Sequence, residues 1–300
     1  MLSVAYAPIY QLPLPEKHRF PMEKYALLPQ QLLREGICQR ADFFVPTPIE
    51  DDVICQVHDP HYVQQLKTLA LDNRAVRKIG FPLSQQLIDR EWVITAGTVQ
   101  GALKALENGV SFNIAGGTHH AFYGHGEAFC LLNDQAIASQ YLLDKGLVKQ
   151  ILIVDLDVHQ GNGTAALFQN QDTVFTFSMH GAKNYPFKKE KSDLDLALDD
   201  HLSDADYLDL LKRTLPELIQ NLQPDFIFYL SGVDVLATDK LGRLGLSIEG
   251  CKLRDQFVFE QCYQAQIPVQ CSMGGGYSPG LKTIVDAHTN TYRVALEYYG

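Results

Sequence analysis

The stretch QILIVDLDVHQGNG, residues 150–163, is apolar on both faces as far as Val154 and then turns to Asp, His, Gln, Gly and Asn. A strand that is apolar on both faces is expected in a parallel sheet covered by helices on each side. Four other runs share this character: SFNIA (111–115), TVFTFS (173–178), DFIFYLS (225–231) and IPVQCS (267–272). Helical patterns lie between and beyond them, at about 92–108, 132–145, 204–221, 248–265 and 280–297, with Asp204 as the expected N-cap of the third. This alternation predicts an α/β fold, a three-layer, mostly parallel, doubly wound sheet flanked by helices. The chain up to about residue 90 is less regular, with a Tyr/Pro-rich opening and helices expected near 24–35 and 60–70.

Outside these runs, no repeat, low-complexity tract or Gly/Ser linker divides the 300 residues, so one domain over 1–300 is expected. With 46% hydrophobic and 20% charged residues the chain can bury a sizeable core, which excludes a disordered, collagen-like or coiled-coil protein. Lys and Arg total 25 against 35 Asp and Glu, a formal charge of −10, which argues against direct nucleic-acid binding through a broad cationic face. A basic substrate remains compatible with that charge. The six cysteines are scattered without a CxxC pair and read as reduced thiols. The opening lacks the pattern of a signal peptide, and no apolar run approaches about 20 residues. The expectation is a cytoplasmic protein with no membrane span.

In a doubly wound sheet, ligands bind beyond the carboxyl ends of the strands. The residues following the five runs are GGTHH, DLDVHQGNG, MHG, GVDVL and MGGGY. Asp155, Asp157 and His159 alternate, so they point the same way, and Asp157 and His159 could share a metal. A catalytic zinc takes about three N or O ligands and keeps a position open, and Asp234 stands at another strand end as a third. Taken alone, an Asp-x-His more often caps a helix and a lone Asp more often fills a turn. His119 and His120 can border one cavity only if the backbone bends, which Gly116 and Gly117 allow. Such a pair would serve as general base and acid. The Gly274–Gly276 run lets backbone approach a ligand, and the Tyr277 hydroxyl could donate to a developing oxyanion. By itself that run fits a flexible turn with a packed Tyr equally well.

Together, GGTHHAFYGHGEAFCLLND (116–134), ILIVDLDVHQGNGT (151–164), LSGVDVLATDKLGRLGLS (230–247) and MGGGY (273–277) resemble the histone deacetylase superfamily, with its arginase/deacetylase-like fold. The resemblance runs from about residue 93 to the end, and HDPHY at 58–62 extends it weakly toward the N-terminus. HQGNG, RLGLS and the triple glycine are most similar to class IV, and the compact length to a bacterial-type member. The resemblance implies Asp157, His159 and Asp234 as zinc ligands, His119 and His120 as the catalytic pair, and Tyr277 as the hydroxyl that polarises the carbonyl. It implies that Asp155 orients the first His and also lines a potassium site with Ser178, Met179 and backbone oxygens of Asp157 and His159. Phe129 becomes one wall of an acyl-lysine tunnel, with Gly275 bordering the substrate and Phe187 or Tyr185 opposite.

The family's second orienting Asp is Asn162 in this chain. An amide accepts a hydrogen bond from His120 without charging it, so His120 is expected to be the neutral general base and His119, backed by Asp155, the cationic partner. The implied substrate is an acyl-lysine peptide or protein, long acyl chains included. The same machinery would serve a small acylated amine, as in an acetylpolyamine amidohydrolase, and a silent acyl-lysine reader would keep the pocket without turnover. A binuclear manganese ureohydrolase would need further bridging carboxylates, where this chain has His-His and Gly-Gly-Gly-Tyr. His18, His58 and His61 are expected to be structural, and His125, His180, His201 and His288 to be surface or packing residues. The run Lys188–Lys191 reads as a solvated loop near the rim that could steer an acidic substrate.

Overall fold

The computed structural model describes residues 2–300. In chain order the strands are β1 (Ser3–Ala5), β2 (Phe43–Phe44), β3 (Val110–Asn113), β4 (Ile151–Asp155), β5 (Val174–Gly181), β6 (Leu194–Leu198), β7 (Phe226–Leu230) and β8 (Val269–Ser272). The helices are α1 (Lys24–Arg34), α2 (Asp51–Ile54), α3 (Pro60–Lys67), α4 (Asn73–Ile79), α5 (Gln85–Asn108), α6 (Asp134–Asp144), α7 (Asn162–Phe168), α8 (Asp204–Leu222), α9 (Ile248–Ala265) and α10 (Leu281–Tyr299). The strands form one sheet in the order β2-β1-β3-β8-β7-β4-β5-β6, and every neighbouring pair is parallel.

The fold class is the one expected, and the five apolar runs are β3, β4, β5, β7 and β8. β3, β4, β7 and β8 are buried at every residue, as strands covered on both faces must be. The two-residue β2 and the half-buried β6 close the edges, and both escaped the sequence reading because neither is a long apolar run. α5 starts at Gln85, earlier than its apolar pattern, because the Ser84 hydroxyl caps Leu87 N–H. Asp204 is not the N-cap of α8. Ser203 caps that helix through Asp206 N–H, and the Asp204 carboxylate instead accepts from the backbone and hydroxyl of Ser247, tying α8 to the start of α9. All six cysteines are free thiols, and no helix among the described residues is long and apolar enough to cross a membrane.

After β3 the chain skips two places to β4, winds outward through β5 and β6, and returns to fill the gap with β7 and β8. The ends of β3, β8, β7 and β4 therefore lie side by side where the winding reverses, the position that favours a binding crevice. Arg254 of α9 fixes two of these ends. Its fully buried guanidinium donates to Gly232 O at 2.7 Å, Leu156 O at 3.1 Å and Ser231 O at 3.2 Å, and pairs with Asp255 at 2.7 Å. Asp255 also accepts from Tyr229 and Thr291, so its charge is shared among β7, α9 and α10. Arg254→Met removes the only cation paired with this carboxylate among the described residues. Breaking a buried pair in this way should lower unfolding free energy by about 3–5 kcal/mol in denaturant titration. Wild-type stability would show that the pair does not hold the strand ends.

Candidate active site

β4 ends at Asp155, and the next turn carries Asp157 and His159. They do not cap α7, whose N-cap is Gly161 with no side-chain hydrogen bond. His159 Nδ1 instead lies 3.0 Å from Asp157 Oδ1 and 3.1 Å from Asp234 Oδ2, beyond the end of β7. Ligands about 2.0–2.1 Å from a tetrahedral zinc stand about 3.3 Å apart, so this spacing suits one ion. All three side chains are buried, and they are the one such His/Cys/Asp/Glu group found among the described residues.

The surrounding backbone prepares the two carboxylates. Asp157 Oδ2 accepts from Gly275 N–H at 2.9 Å, and Asp234 Oδ1 from Val158 N–H at 2.9 Å. Asp234 Oδ2 is buried and accepts no hydrogen bond, because His159 Nδ1, 3.1 Å away, is bonded to Asp157 Oδ1. Burial and the neighbouring Asp157 charge push Asp234 up to about 7. Burial opposes ionisation of Asp157 too, but its hydrogen bond to His159 and the His119 and His159 charges outweigh burial and hold it below the usual range. Two carboxylates that cannot both ionise comfortably, one with an orphaned oxygen, fit a divalent cation by charge as well as by donor type.

His119 and His120 follow β3 through Gly116 and Gly117, at φ 76° and 73°, the bend that brings both imidazoles to the site. The Asp134 carboxylate, at the start of α6, holds that bend by accepting from Thr118 N–H at 2.9 Å and Gly117 N–H at 3.2 Å. The two rings are 4.1 Å apart. His119 Nδ1 is 2.7 Å from Asp155 Oδ2, and His120 Nδ1 is 2.6 Å from Asn162 Oδ1. For His119, burial opposes the charge, yet the Asp155 charge and hydrogen bond prevail and raise its pKa. For His120, burial first and then the His119 and His159 charges push the pKa well below the ordinary value.

Asn162 is itself oriented. Its Nδ2 donates to Glu127 Oε1 at 2.8 Å, and Glu127 is ion-paired with Lys78 at 2.6 Å. Because an ionised carboxylate only accepts, the amide oxygen must face His120. His120 Nδ1 therefore carries the proton and Nε2 keeps its lone pair.

These groups border a cavity of about 950 Å³. Tyr277 follows β8, its backbone N–H bonded to Asp239 at 2.6 Å. Burial, then the Asp234 and Asp157 charges, hold its phenol well above its usual pKa, so it remains a donor. Gly275 also lines the cavity, but its N–H serves Asp157 and its C=O accepts from Val233, so it approaches a ligand only through Cα. A side-chain carbon on Gly275 would overlap Asp234 Oδ2. Phe129 packs 5.0 Å from Phe20 and 6.2 Å from Tyr277. Tyr185, its ring 5.0 Å from His120, supplies a wall on the other side, whereas Phe187 is 91% exposed and stands at the mouth. Sheet register sets Ser178 beside Asp155, with Met179 next along β5, and the Ser178 hydroxyl meets His180 Nδ1 at 2.9 Å.

His18 and His58 are structural as expected, bonded to Gly80 O and Phe122 O respectively, each at 2.9 Å. Glu127, Asp134 and Asp239 escaped the sequence reading, although each stands in a motif quoted above. Lys24 gave no signal at all. Its fully buried ammonium donates to Gly274 O at 3.3 Å and lies over the Tyr277 ring. Burial lowers it to about 8 against the pull of Asp234 and Asp157.

The family model for the histone deacetylase domain matches residues 18–292. The chain is 44% identical to an uncharacterized protein of Picosynechococcus sp. over 99% of each. It is 26% identical to Histone deacetylase 2 of Arabidopsis thaliana over 98% of this chain and 80% of that one. A solved HDAC homologue from Aquifex aeolicus superposes with TM-score 0.83 at 23% identity, covering 98% of this chain and 84% of the other.

Burial and the His119 and His159 charges keep His120 neutral, and the amide at position 162 adds no negative charge to oppose them. Asn162→Asp should raise the His120 pKa by about 1–3 units, seen in an NMR titration of the imidazole nitrogens. An unmoved titration would show that Asn162 does not set its charge.

Proposed function

The chain belongs to the histone deacetylase family, and on that footing we propose that it is a zinc-dependent hydrolase of N-acyl-lysine amides. One observation carries the proposal: the His119–His120 pair, the Tyr277 phenol and the Asp157–His159 edge of the buried trio border the same cavity. Asp157, His159 and Asp234 would hold the zinc. When bound, it supplies Lewis acidity toward the scissile carbonyl and lowers the pKa of adjacent water.

The chain's own residues handle protons and shape. His120, neutral and with Nε2 unprotonated, accepts the proton of the attacking water. His119, held by Asp155, is the cationic partner, and one of the two imidazoles returns a proton to the leaving lysine amine. Tyr277 donates to the oxyanion as it develops. Phe129 and Tyr185 flank the acyl-lysine stem, with Gly275 beside the reacting end and Phe187 at the entrance. Asp155, Ser178 and Met179, with backbone oxygens of Asp157 and His159, would hold potassium, for which an all-oxygen set is suited. The reading includes one catalytic domain over 1–300 and a cytoplasmic site of action. The HQGNG and triple-glycine spellings favour the class IV, bacterial-type branch, and a cavity of about 950 Å³ leaves room for acyl chains longer than acetyl.

The purified protein should bind one zinc and release acyl groups from acetyl-, octanoyl- or myristoyl-lysine peptides, with both properties lost in Asp234→Asn. Stoichiometric zinc with no turnover at any chain length would favour a binding module instead. Tyr277→Phe should stay folded and bind zinc while losing about 10²–10³ in kcat. Full activity in that variant would remove Tyr277 from the mechanism.

A further inference from the structure

The mouth of the cavity carries a charge opposite to that of the chain. Six exposed cationic side chains border it, Arg19, Lys78, Lys183, Lys188, Lys240 and Arg243, whereas the seventh cation lining the cavity, Arg90, is buried and paired with Glu91. The bordering carboxylates outside the buried trio are Glu127 and Glu190. Lys78 is paired with Glu127, and Lys183 and Arg243 share Asp200 at 3.6 and 2.8 Å. Among the described residues, Arg19, Lys188 and Lys240 have no carboxylate within salt-bridge distance, and all three are exposed. They come from three segments, the stretch before α1, the loop between β5 and β6, and the loop after β7. Arg19 lies 4.9 Å over the ring of Phe129, directly beside the cavity wall.

In a chain of formal charge −10, three unpaired cations around one opening form a local attractor for anions. We propose that the acyl-lysine taken by this site is presented in an acidic peptide context, with Asp or Glu within a few residues on either side. The inference rests on the hydrolase reading above and names its substrate class. A lysine- and arginine-rich tail would meet like charge as its acylated side chain entered. A long polyanion such as a nucleic acid would be drawn to the mouth but repelled by the acidic surface beyond it. A membrane surface is disfavoured because Phe187 is the one exposed large hydrophobic side chain at the mouth among the described residues.

Exposed ion pairs are individually weak, so three acting together should give about a tenfold preference in kcat/KM. The test compares peptides of equal length with the same acyl-lysine and with Glu/Asp, Gln/Ser or Lys/Arg flanks. The acidic series should be turned over about tenfold faster than the basic one at low ionic strength, with the ratio falling toward unity near about 0.5 M salt. Lys188→Glu combined with Lys240→Glu should abolish or reverse the ratio, whatever its effect on absolute rates. Binding of fluorescent versions of the same peptides to the Tyr277→Phe protein separates the two readings. No turnover with tighter binding of the acidic series would defeat the hydrolase reading and leave the mouth assignment standing. Turnover or binding indifferent to flanking charge would overturn the assignment. So would sedimentation with phosphatidylglycerol vesicles without preference among the peptides, which would give the cations to a membrane.

Discussion

Two carboxylates held together away from water are the constraint around which this molecule is arranged. Asp157 and Asp234 both lie close to His159 Nδ1, in surroundings where like charges repel strongly. Such a pair persists only if the fold forces it. Gly232 and Gly275 have no side chain where one would strike Asp157 Oδ2 and Asp234 Oδ2. Backbone N–H groups of Gly275 and Val158 grip one oxygen of each carboxylate. Arg254 holds the carbonyls of Leu156, Ser231 and Gly232, and so fixes both loops from behind, while Lys24 places a buried positive charge beyond Tyr277. The cost of this repulsion is spread over three strand ends, those of β4, β7 and β8, which is why the site depends on sheet order.

The same electrostatics separates the two imidazoles. Both are buried, yet one leans on a carboxylate and the other on an amide. The negative charge missing at position 162 is present one step back, at Glu127, where it orients the amide without touching the ring. Lys78 neutralises part of it, so little field reaches His120, and burial with two cationic neighbours decides its state. An imidazole kept neutral with a fixed tautomer is a better base near neutrality than one already protonated.

The sequence makes the central strands and the residues at their carboxyl ends legible because both depend on local pattern: apolar runs buried on both faces, then Gly, Asp and His. Residues 157, 159 and 234 could be joined because a doubly wound sheet brings strand ends to one rim. The edges were harder, since β2 spans two residues and β6 is fully buried only at Leu198. Asp204 misled because Ser203 and Asp204 are both good caps and only the three-dimensional partner, Ser247, decides between them. Lys24 left no trace because a buried lysine is spelled like a surface one. Its burial is completed by Gly274 and Tyr277, about 250 residues away, while Phe20 and Tyr25 are its near neighbours in sequence.

Net charge misleads for a related reason. Of the 35 acidic residues, Asp134, Asp155, Asp157, Asp234 and Asp255 are buried in hydrogen-bonded or metal-suited positions. Their charge is compensated internally by His119, Arg254 and the hydroxyls and N–H groups they accept from, and contributes little to the field outside. The potential a substrate meets at the opening is set by side chains within about 10 Å, the range over which exposed charges act at moderate salt. There the balance is cationic, because Asp200 neutralises at most one of the two cations it touches and Glu127 is committed to Lys78. An acidic chain can thus present a basic mouth, and the charge sum over the whole sequence says nothing about which substrate that mouth admits.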